Sequence, residues 1–512
     1  MFSWLLSAPW AVASWLLSPI PLTVLLAALA YAYFKFTKNF DFWPSRGVPG
    51  PKATLPWGNE FGVPFLTPVV EFEQWLYSKH GGKKYCGYME MSRPVLFVGD
   101  PDLIRAITIK DFEHFTNRRE AGTDDELKDA LSVVNGEVWK HTRAVMSPTF
   151  SASKLKAMHQ LTLDNALNLK KYVLGDMQSK GEVEMKDAFG RFTMDNIASC
   201  AFGVNCNSFV DPNSKFATNA AKLFYPGALG FLRILAFLTL PKFIASWFPN
   251  PGKKVLKFFT DVVNTTVSHR EKHPTSVRDF LQLLMDTKDK DGNRVLSTDS
   301  IVSQSVLFFL AGYDTTATLL TFASYSLAVS PDMQRRAQQE VDDVLAKHGG
   351  QMTYDAVLDM TYLDRVLLET LRLYAPATRL ERECTKDYTL PGTNVHLPKG
   401  TLVQIPVLVL HRDPDHYPDP LRFDPDRFLP EEKEKRHPCA YLPFGQGPRN
   451  CIAMRFALFE AKVALAALLQ KMTLLPTEKT PPPPMPLDKR SFFTTPEGRK
   501  LPLKVELRAR DD

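Results

Sequence analysis

Cys451 lies in the run Phe444-Gly-Gln-Gly-Pro-Arg-Asn-Cys-Ile-Ala453, just ahead of an apolar segment, residues 454–469, with helical spacing and good helix formers. Taken alone, a lone cysteine is in most proteins a small buried hydrophobe. A thiolate that ligates a metal must stay deprotonated, which needs nearby cations, amide donors, a helix N-terminus or the metal itself. Arg449 and the loop amides can supply part of that field. Gly445 and Gly447 let the backbone turn tightly and approach a flat ligand closely. The pattern makes Cys451 a candidate metal-ligating thiolate.

Other clusters carry chemistry of their own. Ala311-Gly312-Tyr313-Asp314-Thr315-Thr316 puts an acid and hydroxyls into a stretch that is uncharged over residues 301–313 and continues apolar to 329. Ending before Pro331, a helix over residues 298–329 would be about 48 Å long, enough to cross a domain. Gly312 and the paired threonines are poor helix formers, and a threonine hydroxyl can bond back to a carbonyl one turn earlier and bend the helix there. Glu369 and Arg372 share one helical face at i,i+3, ordinarily an exposed pair worth a few tenths of a kcal/mol. Trp139 and Arg143 lie at i,i+4, Asn117-Arg118-Arg119 lies upstream, and Arg382 follows the Glu/Arg helix.

The cysteine run resembles the haem-binding loop of the cytochrome P450 haem-thiolate monooxygenases: Phe, two residues, Gly, one, Arg, one, Cys, one, Gly. Ala453 replaces the final glycine, adding one methyl. The resemblance implies haem b (iron protoporphyrin IX) ligated by Cys451, with Phe444, Ala311 and Gly312 beside it. It implies that Asp314 and Thr315 are the catalytic acid-alcohol pair that handles dioxygen and its protons. Arg118, Trp139, Arg143, Arg382 and Arg449 are by resemblance the propionate ligands. Glu369, Arg372 and the arginine of Pro425-Asp-Arg427-Phe428 become a structural triad supporting the loop. Phe308, Ala311, Thr315, Ala377, Thr378 and Phe493 are the substrate-contact candidates. The strings Phe115-Thr-Asn-Arg-Arg119, Ser147-Pro-Thr-Phe150 and Cys451-Ile-Ala-Met-Arg-Phe-Ala457 look most like the animal microsomal drug-metabolising branch. That branch implies a lipophilic substrate and electrons from NADPH-cytochrome P450 reductase, with cytochrome b5 as a further donor. Two alternatives stay open: a haem-thiolate isomerase or dehydratase, whose members tend to have lost the acid-threonine pair, and a non-catalytic haem sensor.

The elements that must position these residues begin with residues 1–34, which contain no charged side chain. Residues 11–34 are mostly apolar and Lys35 and Lys38 follow at once, so residues 1–36 read as an uncleaved endoplasmic-reticulum anchor with the body on the cytosolic side. A secretory signal would have a basic start, and a mitochondrial presequence would be rich in arginine. Residues 37–51 are proline-rich and read as a hinge, and residues 52–512 as one haem-thiolate domain. The fold class is mostly α with small β-sheets (α+β), the cytochrome P450 fold with an N-terminal transmembrane anchor. A second apolar stretch, residues 223–248, is a core candidate or, by resemblance, a bilayer contact at the substrate entrance. The net charge of +6, from 62 basic against 56 acidic residues, is too mild for a nucleic-acid partner. Six cysteines without CxxC spacing suggest neither zinc nor a disulfide framework. Lys140, Lys433, Lys435, Arg436 and Arg455 flank the cysteine side, where an acidic electron donor could dock.

Overall fold

Ten helices position the site and its surroundings: α1 (Pro19–Thr37), α2 (Val69–Lys79), α3 (Gly136–Met146), α4 (Ala152–Lys180), α5 (Met185–Phe202), α6 (Pro251–Lys272), α7 (Thr298–Ala328), α8 (Pro331–Lys347), α9 (Thr361–Leu373) and α10 (Met454–Leu469). They come from a computed structural model of the 512-residue chain. It describes residues 19–55, 58–59, 68–119, 125–211, 215–224, 247, 251–273, 279–288, 290–489, 491 and 493–508. The described chain divides into two compact units, Met1–Phe115 with Leu380–Val409, and Thr116–Arg379 with Leu410–Asp512.

Nine strands lie among the described residues: β1 (Tyr85–Glu90), β2 (Arg93–Val98), β3 (Val183–Glu184), β4 (Leu380–Glu383), β5 (Tyr388–Thr389), β6 (His396–Leu397), β7 (Leu402–Ile405), β8 (Met472–Pro476) and β9 (Pro502–Leu507). In the first unit they form a sheet of order β1-β2-β7-β4, antiparallel except for β2 beside β7, and a small β5-β6 hairpin. Phe72, Leu76, Tyr88, Phe97 and Leu402 pack as its core. The proline-rich segment expected as a hinge is fastened to β1: Trp43 is buried, its indole Nε1 donates to the Tyr88 carbonyl at 3.0 Å, and the Gly87 amide donates to Pro49 at 2.8 Å.

The second unit is built around α7. The sequence pattern predicts a helix over residues 298–329, and the helix observed is Thr298–Ala328. Ser297 caps its start by accepting the Ser300 amide at 3.1 Å, and Pro331 opens α8 immediately after it. α7 is long and apolar enough to cross a membrane, yet most of its side chains are buried against protein, so it is the core helix. It packs along α5 and also against α6, α9 and α10. α5 starts where β3 joins the antiparallel β3-β9-β8 sheet, which fixes its first turn.

Residues 1–18 of the expected anchor, residues 1–36, lie outside the described residues. The remainder is α1, with Leu26, Leu29, Tyr31, Tyr33 and Phe34 all exposed. Of the apolar stretch 223–248, residues 225–246 and 248 also lie outside the described residues, while Trp247 is exposed.

Candidate active site

The cysteine loop is shaped by its glycines. Gly445 and Gly447 have φ of 72° and 75°, a region that side chains with a Cβ rarely adopt. Three backbone bonds close the loop: Gly445 N–H to Leu442 O at 2.9 Å, Asn450 N–H to Gly447 O at 3.0 Å, and Cys451 N–H to Phe444 O at 2.8 Å. α10 begins three residues later. Ala453 has φ of −95° and ψ of 13°, a conformation open to any residue, so the backbone accepts alanine where the family pattern has glycine.

Cys451 is the exposed cysteine of the six, the others being buried. Surrounding protein nevertheless raises its thiol pKa by burial, while the Ala453 amide, Arg143 and Arg118 pull it down. A metal cation there would supply the rest of the field a thiolate needs. The cationic help comes from Arg143 and Arg118.

Arg449 turns instead toward α3 and the segment before it. Its Nη2 donates to Val134 O at 2.8 Å and to Asn135 Oδ1 at 2.9 Å, and its guanidinium lies 4.5 Å from the Trp139 ring centroid. Asn135 also ties in Arg118, accepting its amide at 3.1 Å and donating to its carbonyl at 3.0 Å. Arg143 grips the loop from the other side, donating to Asn450 O and Asn450 Oδ1, both at 2.8 Å. Arg118, Trp139, Arg143, Arg449 and Cys451 thus converge, joined by Asn135 and Asn450, which the sequence reading missed. Asn450 sits inside the cysteine motif, but only its partner, 307 residues away, reveals its use. Arg382 belongs to the other unit, buried on β4 with Nη1 donating to Glu381 O at 2.8 Å.

On α7, Ala311 is exposed and Gly312 and Thr315 are half-buried, although the helix is otherwise mostly sunk in the core. Thr315 Oγ1 donates back to Ala311 O at 2.5 Å, as expected. The helix continues through Gly312, where a Cβ would come within 2.9 Å of Ile197 Cδ1, so glycine permits the close approach of α5. Asp314 is buried, and its Oδ1 pairs with Lys186 Nζ at 2.8 Å. An open face in mid-helix, an exposed sulfur at the head of α10 and a set of arginines about the cysteine loop fit a flat, anionic, metal-bearing group.

Behind the loop, Arg372 and Glu369 form a fork with Nε–Oε2 at 2.7 Å and Nη2–Oε1 at 2.8 Å, both side chains being fully buried. Arg427 Nε lies 3.6 Å from Glu369 Oε1. Arg372 Nη1 also donates to His411 O and Pro420 O, so the expected triad fastens the segment leading to the cysteine. Among the substrate candidates, Phe308 is buried with ring centroids of Phe280 and Phe150 at 4.3 and 5.2 Å, which makes it part of a three-ring cluster. Ala377, Thr378 and Phe493 are half-buried on neighbouring segments, since the Thr494 amide donates to Pro376 O at 3.0 Å.

The family model described as Cytochrome P450 matches residues 49–503. Cytochrome P450 3A9 of Rattus norvegicus is 38% identical over 507 residues, covering 96% of each chain. Cytochrome P450 9e2 of Blattella germanica is 36% identical over 512 residues, covering 91% of this chain and 94% of its own, and Probable cytochrome P450 6a13 of Drosophila melanogaster is 37% identical over 475 residues, covering 92% and 95%. The chain belongs to the cytochrome P450 family. It is accordingly a haem-thiolate monooxygenase, an oxidoreductase carrying haem iron, with the mostly helical fold and small sheets of that family.

Proposed function

We propose that this P450 is a membrane-bound microsomal enzyme that inserts one atom of dioxygen into a lipophilic small molecule. Electrons come from NADPH through NADPH-cytochrome P450 reductase, with cytochrome b5 as a further donor. The cofactor is haem b, and the location is the endoplasmic-reticulum membrane with the body on the cytosolic side. The observation that carries the reading is Cys451 exposed on a glycine-turned loop that Arg143 grips through Asn450.

When bound, the haem supplies the reductive cleavage of dioxygen that leaves one oxygen in the product and one in water. Cys451 would hold the group through its sulfur, and Arg143, Arg118, Arg449 and Trp139 suit its propionates. Arg382 remains a further candidate. Glu369, Arg372 and Arg427 keep the approach to the loop rigid. Ala311 and Thr315 offer the substrate-side surface, with Ala377, Thr378 and Phe493 as further contacts and Phe308 stiffening the helix behind. Asp314 and Thr315 handle protons. The exposed apolar side chains of α1 support the membrane reading. On the basic face, Lys433 and Arg455 are exposed, whereas Lys140 and Lys435 pair with Glu137 and Glu432, and Arg436 lies over the Tyr417 and Phe428 rings. Lys433 and Arg455 are therefore the donor-docking residues of choice.

The deciding experiment is the absorption spectrum of the reduced, carbon-monoxide-bound protein. A strongly red-shifted Soret band, lost in Cys451→Ala, is expected. A Soret position typical of histidine ligation would overturn the assignment, and absence of NADPH-dependent oxidation with reductase would overturn the proposed electron supply.

A further inference from the structure

α5 touches the oxygen-handling segment of α7 at successive points. Ile197 backs Gly312, and Thr193 Oγ1 donates to the Tyr313 carbonyl at 2.8 Å. Lys186 Nζ donates to Asp314 Oδ1 at 2.8 Å and to Thr318 Oγ1 at 2.9 Å. This last contact is unlike a surface pair, for the Lys186 and Asp314 side chains are only 10% and 8% exposed. Taking both charges out of water costs several kcal/mol, which their attraction offsets only in good geometry, so such a pair is weak evidence for a gain in stability. The position of Lys186 is itself fixed: Glu184 caps α5 by accepting the Lys186 and Asp187 amides at 3.3 and 2.9 Å and the Leu501 amide at 2.5 Å. A residue 128 positions upstream of the acid is thus held on it by a cap tied to the β3–β9 pairing.

We propose that Lys186 is a positioning residue that fixes the Asp314 carboxylate, and that proton delivery through Asp314 and Thr315 depends on it. The inference rests on the proposed function. Two outcomes compete for the same two electrons. With timely protons, substrate RH, O2, NADPH and H+ give ROH, H2O and NADP+. With protons misdelivered, O2, NADPH and H+ give H2O2 and NADP+, and the substrate is untouched. Lys186 therefore governs how electrons divide between product and peroxide rather than how tightly substrate binds.

The test uses the holoenzyme with reductase in phospholipid vesicles and a fluorogenic benzyl ether as probe, comparing wild type, Lys186→Met, Lys186→Arg, Asp314→Asn and the Lys186→Met/Asp314→Asn double variant. Lys186→Met should raise the share of NADPH electrons recovered as H2O2 by about threefold or more and enlarge the solvent isotope effect, with no added effect in the Asp314→Asn background. Lys186→Arg should restore most of the coupling. Hydrogen exchange of the holoprotein should show amides 314–318 opening about tenfold more often in Lys186→Met. An electron division per haem unchanged from wild type, even with a lowered melting temperature, would overturn the proposal by making Lys186 purely structural. If wild type itself consumes no NADPH, the functional reading has failed. The exchange experiment then still decides the positioning claim, and unchanged protection in Lys186→Met refutes it.

Discussion

Glu369 answers two guanidinium groups with one carboxylate at a point that water does not reach. Burial raises its pKa, while hydrogen bonding and charge from Arg372, the Asp424 amide and the charge of Arg427 lower it. Glu369→Gln keeps the shape but leaves Arg372 with an uncompensated buried charge. Denaturant unfolding should show a loss of about 3–5 kcal/mol, with haem content falling in step. A variant of unchanged stability would mean that the backbone carbonyls around Arg372 suffice. His411 is the second residue whose charge state matters, being wholly buried with its pKa pushed down to about 3 by burial and then by Arg372. Its neutral ring accepts the Leu442 amide through Nε2 at 2.8 Å, and Leu442 O in turn closes the cysteine loop through Gly445. The unfolded chain takes up this proton near pH 6.5 and the folded chain only near 3, so the unfolded state binds more protons between those values. The contribution is complete above about pH 6.5 and is lost as pH falls toward about 3. Unfolding titrations should show that slope in the wild type and a flatter one in His411→Gln, whose side-chain oxygen can still accept the amide; equal slopes would remove His411 as the source.

Between elements, the decisive contact is α5 against α7. Gly312→Ala gains helix propensity of about 1 kcal/mol but brings a methyl to within 2.9 Å of Ile197 Cδ1. Overpacking of this kind costs about 1–3 kcal/mol, so the single variant should lose roughly 1 kcal/mol on balance. Ile197→Ala removes the obstructing atoms, and the double variant should therefore be less destabilised than the two singles predict when added, by about 1 kcal/mol in a double-mutant cycle. Strict additivity would mean that the helices shift apart without strain. This contact also marks where the sequence stops being legible. The extent of α7 could be read from its uncharged run and from Pro331, and the turn of the cysteine loop from Gly445 and Gly447, because those signals are local. The Glu369–Arg372 pair was legible for the same reason, at a spacing of one helical turn. Lys186 beneath Asp314 and Asn135 between Arg118 and Arg449 were not, since a lysine at the start of one helix and an asparagine before another carry no local signal of partners 128 and 314 residues away. The packing role of Gly312 is hidden in the same way, being set by a neighbour, Ile197, that only the fold brings near.

Across the whole molecule, Cys451, the face of α7 and the Glu369–Arg372–Arg427 triad all belong to the second unit, whereas α1 belongs to the first. α1 is 19 residues long, which at about 1.5 Å per residue gives about 28 Å, close to a hydrocarbon core of about 30 Å. Leu26, Leu29, Tyr31, Tyr33 and Phe34 are each more than half exposed on it, a concentration of apolar surface that a helix in water does not ordinarily keep. Lys35 and Lys38 come directly after them, on the side where positively charged residues stay in the cytosol. Deleting residues 1–36 should therefore move most of the protein from the membrane to the soluble fraction. The red-shifted reduced carbon-monoxide band per haem should survive, because every residue argued to hold the thiolate lies outside α1. The two readouts separate the possible failures. A truncated protein that stays with the membrane and keeps its spectrum would show that a second surface binds lipid, with the apolar stretch 223–248 the first segment to mutate. A truncated protein that becomes soluble but loses the band would instead give α1 a part in the stability of the haem-bearing unit, and the anchor would then be a structural element as well as a tether.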